Sequence, residues 1–521
     1  MLVARRPELL TGCPARRTPI VTAGQHSGSM AAVSAPTPFR PDLSGLPSGF
    51  VWGAATASFQ IEGDAEHRGP SIWDRMCEEP GRIVDGSDGT VACDHVNRYE
   101  QDVALMRDLG IDAYRFSISW PRVQPGGRGT ISAQGLAFYD RLIDALLAAG
   151  IEPWVTQYHW DLPAQVQDAG GWAARNTVDR FADYAVAVHA ALGDRVRHWA
   201  TFNEPWCSAW LGYGSGVHAP GITDHSQAAR AAHHLLLAHG RAMTGMRAQA
   251  PADHQLGIVL NVFPVRPDDA APVEALGGPD GLDEIAWRMD GIQNRWWMDA
   301  LFTGGYPQDT LELLAPYLDG VIGADDLAEI SQPIDFLGVN YYHDALIVAA
   351  DPPTADDAGA YPGAGGARPA DPAPDATSMG WPITPDGLRR MLLRIGADYP
   401  TAPPLVVTEN GSAWHDGPEA LAVPAGEPIP DPERVSYLLR HLDTMAQAVR
   451  EGADVRGYFA WSLLDNFEWA YGYSQRFGII RVDYDTLQRT VKDSAKWYAE
   501  LIRTHQLPAV DAVSAGAGSV R

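Results

Sequence analysis

A chain of 521 residues with 45% hydrophobic content can bury a large core and belongs to the globular class. Its net charge of −26 argues against nucleic acid and anionic membrane surfaces as partners, and for simple solubility. The 17 Trp and 18 Tyr are the more informative residues, because flat rings stack on the apolar faces of sugars as well as filling cores.

In chain order, residues 1–44 read as a disordered extension. Arg5-Arg6 and Arg16-Arg17 suggest a twin-arginine export signal, but Thr18 to Ser27 is too short and polar to be its apolar region. Met30 is a candidate start, and residues 1–29 are expected to be dispensable. No stretch approaches the ~18 apolar residues of a membrane span.

From residue 50 onward, short β-rich apolar runs alternate with stretches of helical periodicity. The strand candidates are Phe50–Ala55, Ala113–Ile118, Glu152–Gln157, Arg197–Phe202, Gln255–Leu260, Ile334–Val339, Leu405–Thr408 and Val455–Ala460. Between them lie segments such as Tyr139–Ala148, apolar at helical spacing and stopped by Gly150. Eight strands with helical crossovers predict an α/β protein, a single (β/α)8 barrel over residues 45–505, with its active site at the C-terminal strand ends. Residues 351–378, rich in Pro, Ala, Gly and Asp, read as a long mobile loop after the sixth strand, and 506–521 as a flexible tail.

Two glutamates close apolar runs. Glu204 lies in Thr201-Phe-Asn-Glu-Pro205 and Glu409 in Thr408-Glu-Asn-Gly411, far apart in the chain but both at strand ends. Either alone is best explained as a salt-bridged structural group. Two at the top of one barrel are the carboxylate pair of glycoside hydrolysis, one a proton donor and one a nucleophile or base. Other polar and aromatic residues fall on the same face: Gln60, Arg115, His159-Trp160-Asp161, Asn203, Asn340-Tyr341-Tyr342, Asn410, Trp461 and Glu468-Trp469. A sugar site needs such an array of donors, acceptors and rings.

These segments resemble glycoside hydrolase family 1, the β-glucosidase family, over about residues 44–504. The motifs carrying the resemblance occur in order: Ser58 to Gly63, Tyr114 to Trp120, Tyr158 to Pro163, Thr201 to Pro205, Asn340 to Tyr342, Thr408 to Gly411 and Asp465 to Trp469. The resemblance implies a retaining β-glucosidase acting on terminal β-D-glucosyl residues. It makes Glu409 the nucleophile and Glu204 the acid/base, with Arg115 and Tyr342 orienting Glu409. Asn203 would bind the sugar 2-OH; Gln60, His159, Glu468 and Trp469 the other hydroxyls. Trp461 would be the stacking floor, Trp381 would line the aglycone side, and Asn340 would join the substrate-binding set. Arg115 is expected to lower the Glu409 pKa, and the Glu409 charge to raise that of Glu204.

Alternatives remain. A 6-phospho-β-glucosidase would share the carboxylate pair, but Glu468 would repel a phosphate dianion, leaving Arg476 as the residue able to meet one. A non-catalytic sugar-binding member would be expected to lose one carboxylate. The resemblance implies a glycone pocket that accepts glucose and often galactose or fucose, and does not choose among them. Cys77, Cys93 and Cys207, with Cys13, show no disulfide spacing, which suggests a reduced, cytoplasmic protein. Cys207 reads as a small buried thiol rather than a nucleophile. His233, His234 and His239 lack the spacing of three ligands on one helix face and read as packing or surface residues. With no HExxH, Walker A loop or strand-linked GxGxxG, neither a metal nor a nucleotide cofactor is implied. The partner expected is a small β-glucoside or oligosaccharide; no oligomeric state is specified.

Overall fold

The computed structural model describes residues 42–508 apart from 273–274, 276–280, 354–358, 419–421 and 425. The extension at 1–41, including the Met30 expectation, and the tail from 509 lie outside the described residues.

Eight parallel strands close into a barrel. They are β1 Val51–Ala55, β2 Ala113–Ser117, β3 Glu152–Tyr158, β4 His198–Asn203, β5 Gln255–Asn261, β6 Phe336–Asn340, β7 Leu405–Asn410 and β8 Val455–Trp461. Each strand pairs with its chain neighbours, and β8 closes on β1. Every predicted strand is present, shifted by a residue or two. At β4 and β7 the shift matters, because both run on to include Asn203 and Glu409-Asn410.

The strands are buried on both faces, which is why they read as continuous apolar runs rather than alternating ones. Inside, Trp154 packs at 5.4 Å from Phe336 and 5.1 Å from Phe459, ring centre to ring centre, so the barrel is a filled core and not a channel. The helix at Tyr139–Ala148 is real and begins earlier, at Ala133, where Ser132 caps it by accepting from Gly135 N–H. Gly150 beyond its end has φ +77, the left-handed conformation expected of that position.

The expected 351–378 loop needs correction. Ala345–Ala349 and Ala367–Pro369 form two antiparallel strands of a small three-stranded sheet completed by Val265–Pro267, so the described part of the segment is anchored. Its Pro and Gly content hid a strand only three residues long. The histidines also differ from expectation. His233, His234 and His239 all lie on the helix His225–Arg247 and all are buried. They bind Tyr306 and Asp326, the Trp172 carbonyl, and Thr201, respectively. Packing explains them; surface placement does not. Among the described residues no helix is long and apolar enough to cross a membrane.

Candidate active site

The barrel register sets the site. Glu409 pairs with Asn340 across β7 and β6, and Asn261 pairs with Asn340 across β5 and β6. The ladder slips between Val407 and Glu409 and again between Ala200 and Asn203, so both glutamate-bearing strands end in an irregularity. Such a slip re-aims the side chains that follow it. Glu204 itself has φ +48, a conformation sparsely populated by residues with a Cβ and retained here by its N–H bond to Val259 O at 2.9 Å. Gly411 follows for a steric reason: a Cβ there would sit 1.7 Å from the Trp461 carbonyl oxygen.

Around Glu409 the polar groups are fully engaged. Arg115 donates from Nη1 to Glu409 Oε1 at 2.8 Å, from Nη2 to Asn203 Oδ1 at 2.6 Å and from Nε to Thr156 Oγ1 at 3.2 Å. Tyr342 O–H donates to Glu409 Oε2 at 2.7 Å. Asn340 then links the two acids. Its Nδ2 donates to Glu204 Oε1 at 2.7 Å and to Asn203 Oδ1 at 3.0 Å, while Thr408 fixes its orientation by donating to Oδ1 at 2.7 Å. Asn203 Nδ2 meets His159 Nε2 at 3.0 Å.

On the other side, Gln60 Nε2 donates to Asn466 Oδ1 at 2.9 Å, to Phe467 O at 2.8 Å and, more weakly, to Glu468 Oε2 at 3.5 Å. Two buried atoms there have no protein partner, Gln60 Oε1 and His159 Nδ1. Orphaned polar atoms in a site are where a polar ligand gains most. The His159 ring lies at 23° to Trp461 and 22° to Trp469, making an aromatic wall. Trp381, Phe263 and His343 line a cavity that also contains Glu204 and Asn340.

Sequence comparison decides the family. The model of glycosyl hydrolase family 1 matches residues 43–507. The chain belongs to glycosyl hydrolase family 1. Among relatives of known function, it is 46% identical to thermostable beta-glucosidase B of Thermobispora bispora, covering 89% of this chain and 92% of that one. It is 45% identical to a bifunctional beta-D-glucosidase/beta-D-fucosidase of Bifidobacterium breve, covering 88% of this chain and 98% of the other. The crystal structure of a psychrophilic beta-glucosidase from Micrococcus antarcticus superposes with a TM-score of 0.80 at 46% identity, over 88% of this chain and 98% of that chain.

Within this family 1 site the electrostatics separate the acids. Burial pushes the Glu204 carboxyl up to about 7, helped by the negative charge of Glu409 and opposed by donors from Asn340 and Cys207. Glu468 is pushed up to about 8 by burial and by the charges of Glu409 and Glu204. The expectation that Arg115 would lower Glu409 is only half right. Burial raises Glu409 above the usual carboxylate range, and Arg115, Tyr342 and Asn340 pull it back without cancelling the rise. Of the two, Glu204 lacks a cation, so a shared proton resides there by preference. His159 is held well below its usual pKa by burial and is neutral, its Nδ1 without a protein partner.

Three further residues belong to this family 1 site although the sequence did not single them out. Asn261 ends the strand from which no site residue was expected, and its place at a strand end was the available signal. Phe263 and His343 follow β5 and β6, on loops whose path sequence does not reveal. Cys207 is buried as expected, yet its thiol donates to Glu204 Oε2 at 3.0 Å. Arg476, the one candidate anion contact, is occupied: it bonds Asp465 at 2.8 Å and pairs with Asp416 at 3.2 Å, with its guanidinium over the Tyr484 ring.

Proposed function

We propose that this chain is a retaining β-glucosidase that removes terminal, non-reducing β-D-glucosyl residues from small glucosides or oligosaccharides, with residues 45–505 as the catalytic unit. The observation that carries the reading is the asymmetry of two buried carboxyls at the ends of β4 and β7, with two strands between them and on the same face of the barrel: Glu409 is paired with a guanidinium, Glu204 with neutral donors only.

In the first step Glu409 attacks the anomeric carbon, the glycosidic C–O bond breaks, and the proton on Glu204 passes to the leaving oxygen. Arg115 and Tyr342 hold both oxygens of the nucleophile, so it enters the reaction oriented. Formation of the ester removes the Glu409 charge, which releases the electrostatic hold on the Glu204 proton. In the second step Glu204 takes a proton from water, the water oxygen bonds to the anomeric carbon, and the ester bond to Glu409 breaks with net retention. Asn203 would bind the 2-OH, where hydrogen bonds strengthen as charge develops at the anomeric carbon. Gln60, His159, Glu468 and Trp469 would read the remaining hydroxyls over Trp461, with Trp381 on the aglycone side.

Against a 6-phosphoglucoside stands the prior engagement of Arg476 with two aspartates; the Glu468 carboxyl, pushed up to about 8, repels a phosphate dianion only once it ionises. The test is a panel of nitrophenyl β-glucoside, β-galactoside, β-fucoside and 6-phospho-β-glucoside, together with cellobiose. Turnover of the glucoside well above the phosphorylated sugar is expected; preferred turnover of the phosphorylated sugar, or none of any, would overturn the reading.

A further inference from the structure

The two oxygens of Glu204 are held by different groups. Asn340 donates to Oε1 at 2.7 Å, and the Cys207 thiol donates to Oε2 at 3.0 Å. Cys207 is itself placed by Asn261, whose Nδ2 approaches Sγ at 3.5 Å. Asn261 is anchored in turn, its carbonyl accepting from Gln293 Nε2 at 2.7 Å, and Gln293 Oε1 accepts from Tyr361 O–H at 2.6 Å. All three of Glu204, Cys207 and Asn261 line one cavity. The thiol sits one helical turn beyond Glu204, where the chain enters the irregular helix Cys207–Gly214, so backbone and side chain fix it together.

We propose that Cys207, backed by Asn261, is a positioning residue for the acid/base Glu204, holding Oε2 so that the carboxyl faces the leaving group in one orientation and its ionised form is favoured for the second step. This rests on the assignment of Glu204 as acid/base. The charged and titratable groups around Glu204 are Tyr342 and His343 beyond β6, Glu409 on β7 and Glu468 beyond β8. None of them reaches Oε2 with a hydrogen bond; the thiol does. Burial and the neighbouring Glu204 charge raise the thiol pKa well above its ordinary value, so Cys207 stays protonated and a donor at any pH where the enzyme works.

The experiment is the pH profile of kcat/KM on nitrophenyl β-glucoside for the unaltered protein, Cys207→Ala and Cys207→Ser. Loss of the donor in Cys207→Ala is expected to move the basic limb upward by about half a unit or more. Cys207→Ser, which keeps a donor, is expected to bring it back toward the native position. The infrared S–H stretching band supplies a second readout that does not depend on any Cys207 variant folding. It is expected to shift as Glu204 titrates, and not to shift in Glu204→Gln. A native-like limb in folded Cys207→Ala, a Ser variant that tracks Ala, or an S–H band indifferent to pH would each overturn the inference. Absence of any glucoside turnover by the unaltered chain would instead overturn the proposed function, and this inference with it.

Discussion

Arg115 Nη1 donates to Glu409 Oε1 across 2.8 Å, joining the middle of β2 to the end of β7 through the inside of the barrel. Both side chains are about 3% exposed, so the pair is scarcely screened by water. Removing one partner of such a pair leaves a buried charge uncompensated. The pairing therefore orients Glu409 and favours its ionised form, against the burial that still leaves its carboxyl above the usual range.

Glu409→Gly is expected to lower β-glucoside hydrolysis by roughly 10⁴-fold or more, since no other group is placed to form the glycosyl ester. Azide or formate should restore turnover of a dinitrophenyl β-glucoside by filling the vacated space. Rescue is measured by release of the phenol; a variant that keeps substantial activity without added anion would deny Glu409 its role.

Glu204→Ala is expected to behave differently. A dinitrophenyl leaving group needs no proton, so glycosylation should survive while the covalent intermediate on Glu409 accumulates for want of a base. Intact mass measurement should show the sugar adduct, and azide should release a β-glucosyl azide. If both glutamate variants lose activated and unactivated substrates alike, the two roles are misassigned.

The pH profile follows from the raised carboxyl of Glu204. With Glu204 as the proton donor, kcat/KM is expected to decline as pH rises through about 7, and to fall again at low pH where Glu409 takes up a proton. A dinitrophenyl substrate, which does not need the proton, should lose that basic limb. Identical profiles for the two substrates would contradict the assignment.

Glu468 offers a test of stability as well as binding. Its folded pKa of about 8 lies above the ordinary 4.5, so its contribution to stability is fully present at low pH and is lost as pH rises through 8. Glu468→Gln cannot ionise. Its melting temperature relative to the unaltered protein is therefore expected to rise between pH 5 and pH 9, while KM for the glucoside increases about tenfold from loss of a hydroxyl contact. A melting difference constant with pH would mean that Glu468 titrates normally.

Much of this protein is written locally. The eight strands were legible because each is a short β-branched and aromatic run buried on both faces, and Glu204, Glu409, Asn203 and Tyr342 were legible because strand ends converge on one face in such a barrel, whereas Arg115, in mid-strand, was assigned through the family resemblance. The short strand Ala367–Pro369 was not, because Pro and Gly around it carry a loop signal that three residues cannot outweigh. The burial of His233, His234 and His239 was equally hidden, since it depends on the partners Asp326, Trp172 and Thr201, each remote in the chain.

The residues able to do the chemistry were set by sequence alone; how their protons are shared was decided by tertiary structure. Arg115 does lower Glu409, but the desolvation that outweighs it comes from the closed barrel, whose depth no local pattern records. The meeting of Cys207 and Asn261 at Glu204 is likewise a product of the register between β4, β5 and β6. Strand order and burial are sums over many distant contacts, and the pKa of a buried carboxyl responds to all of them at once.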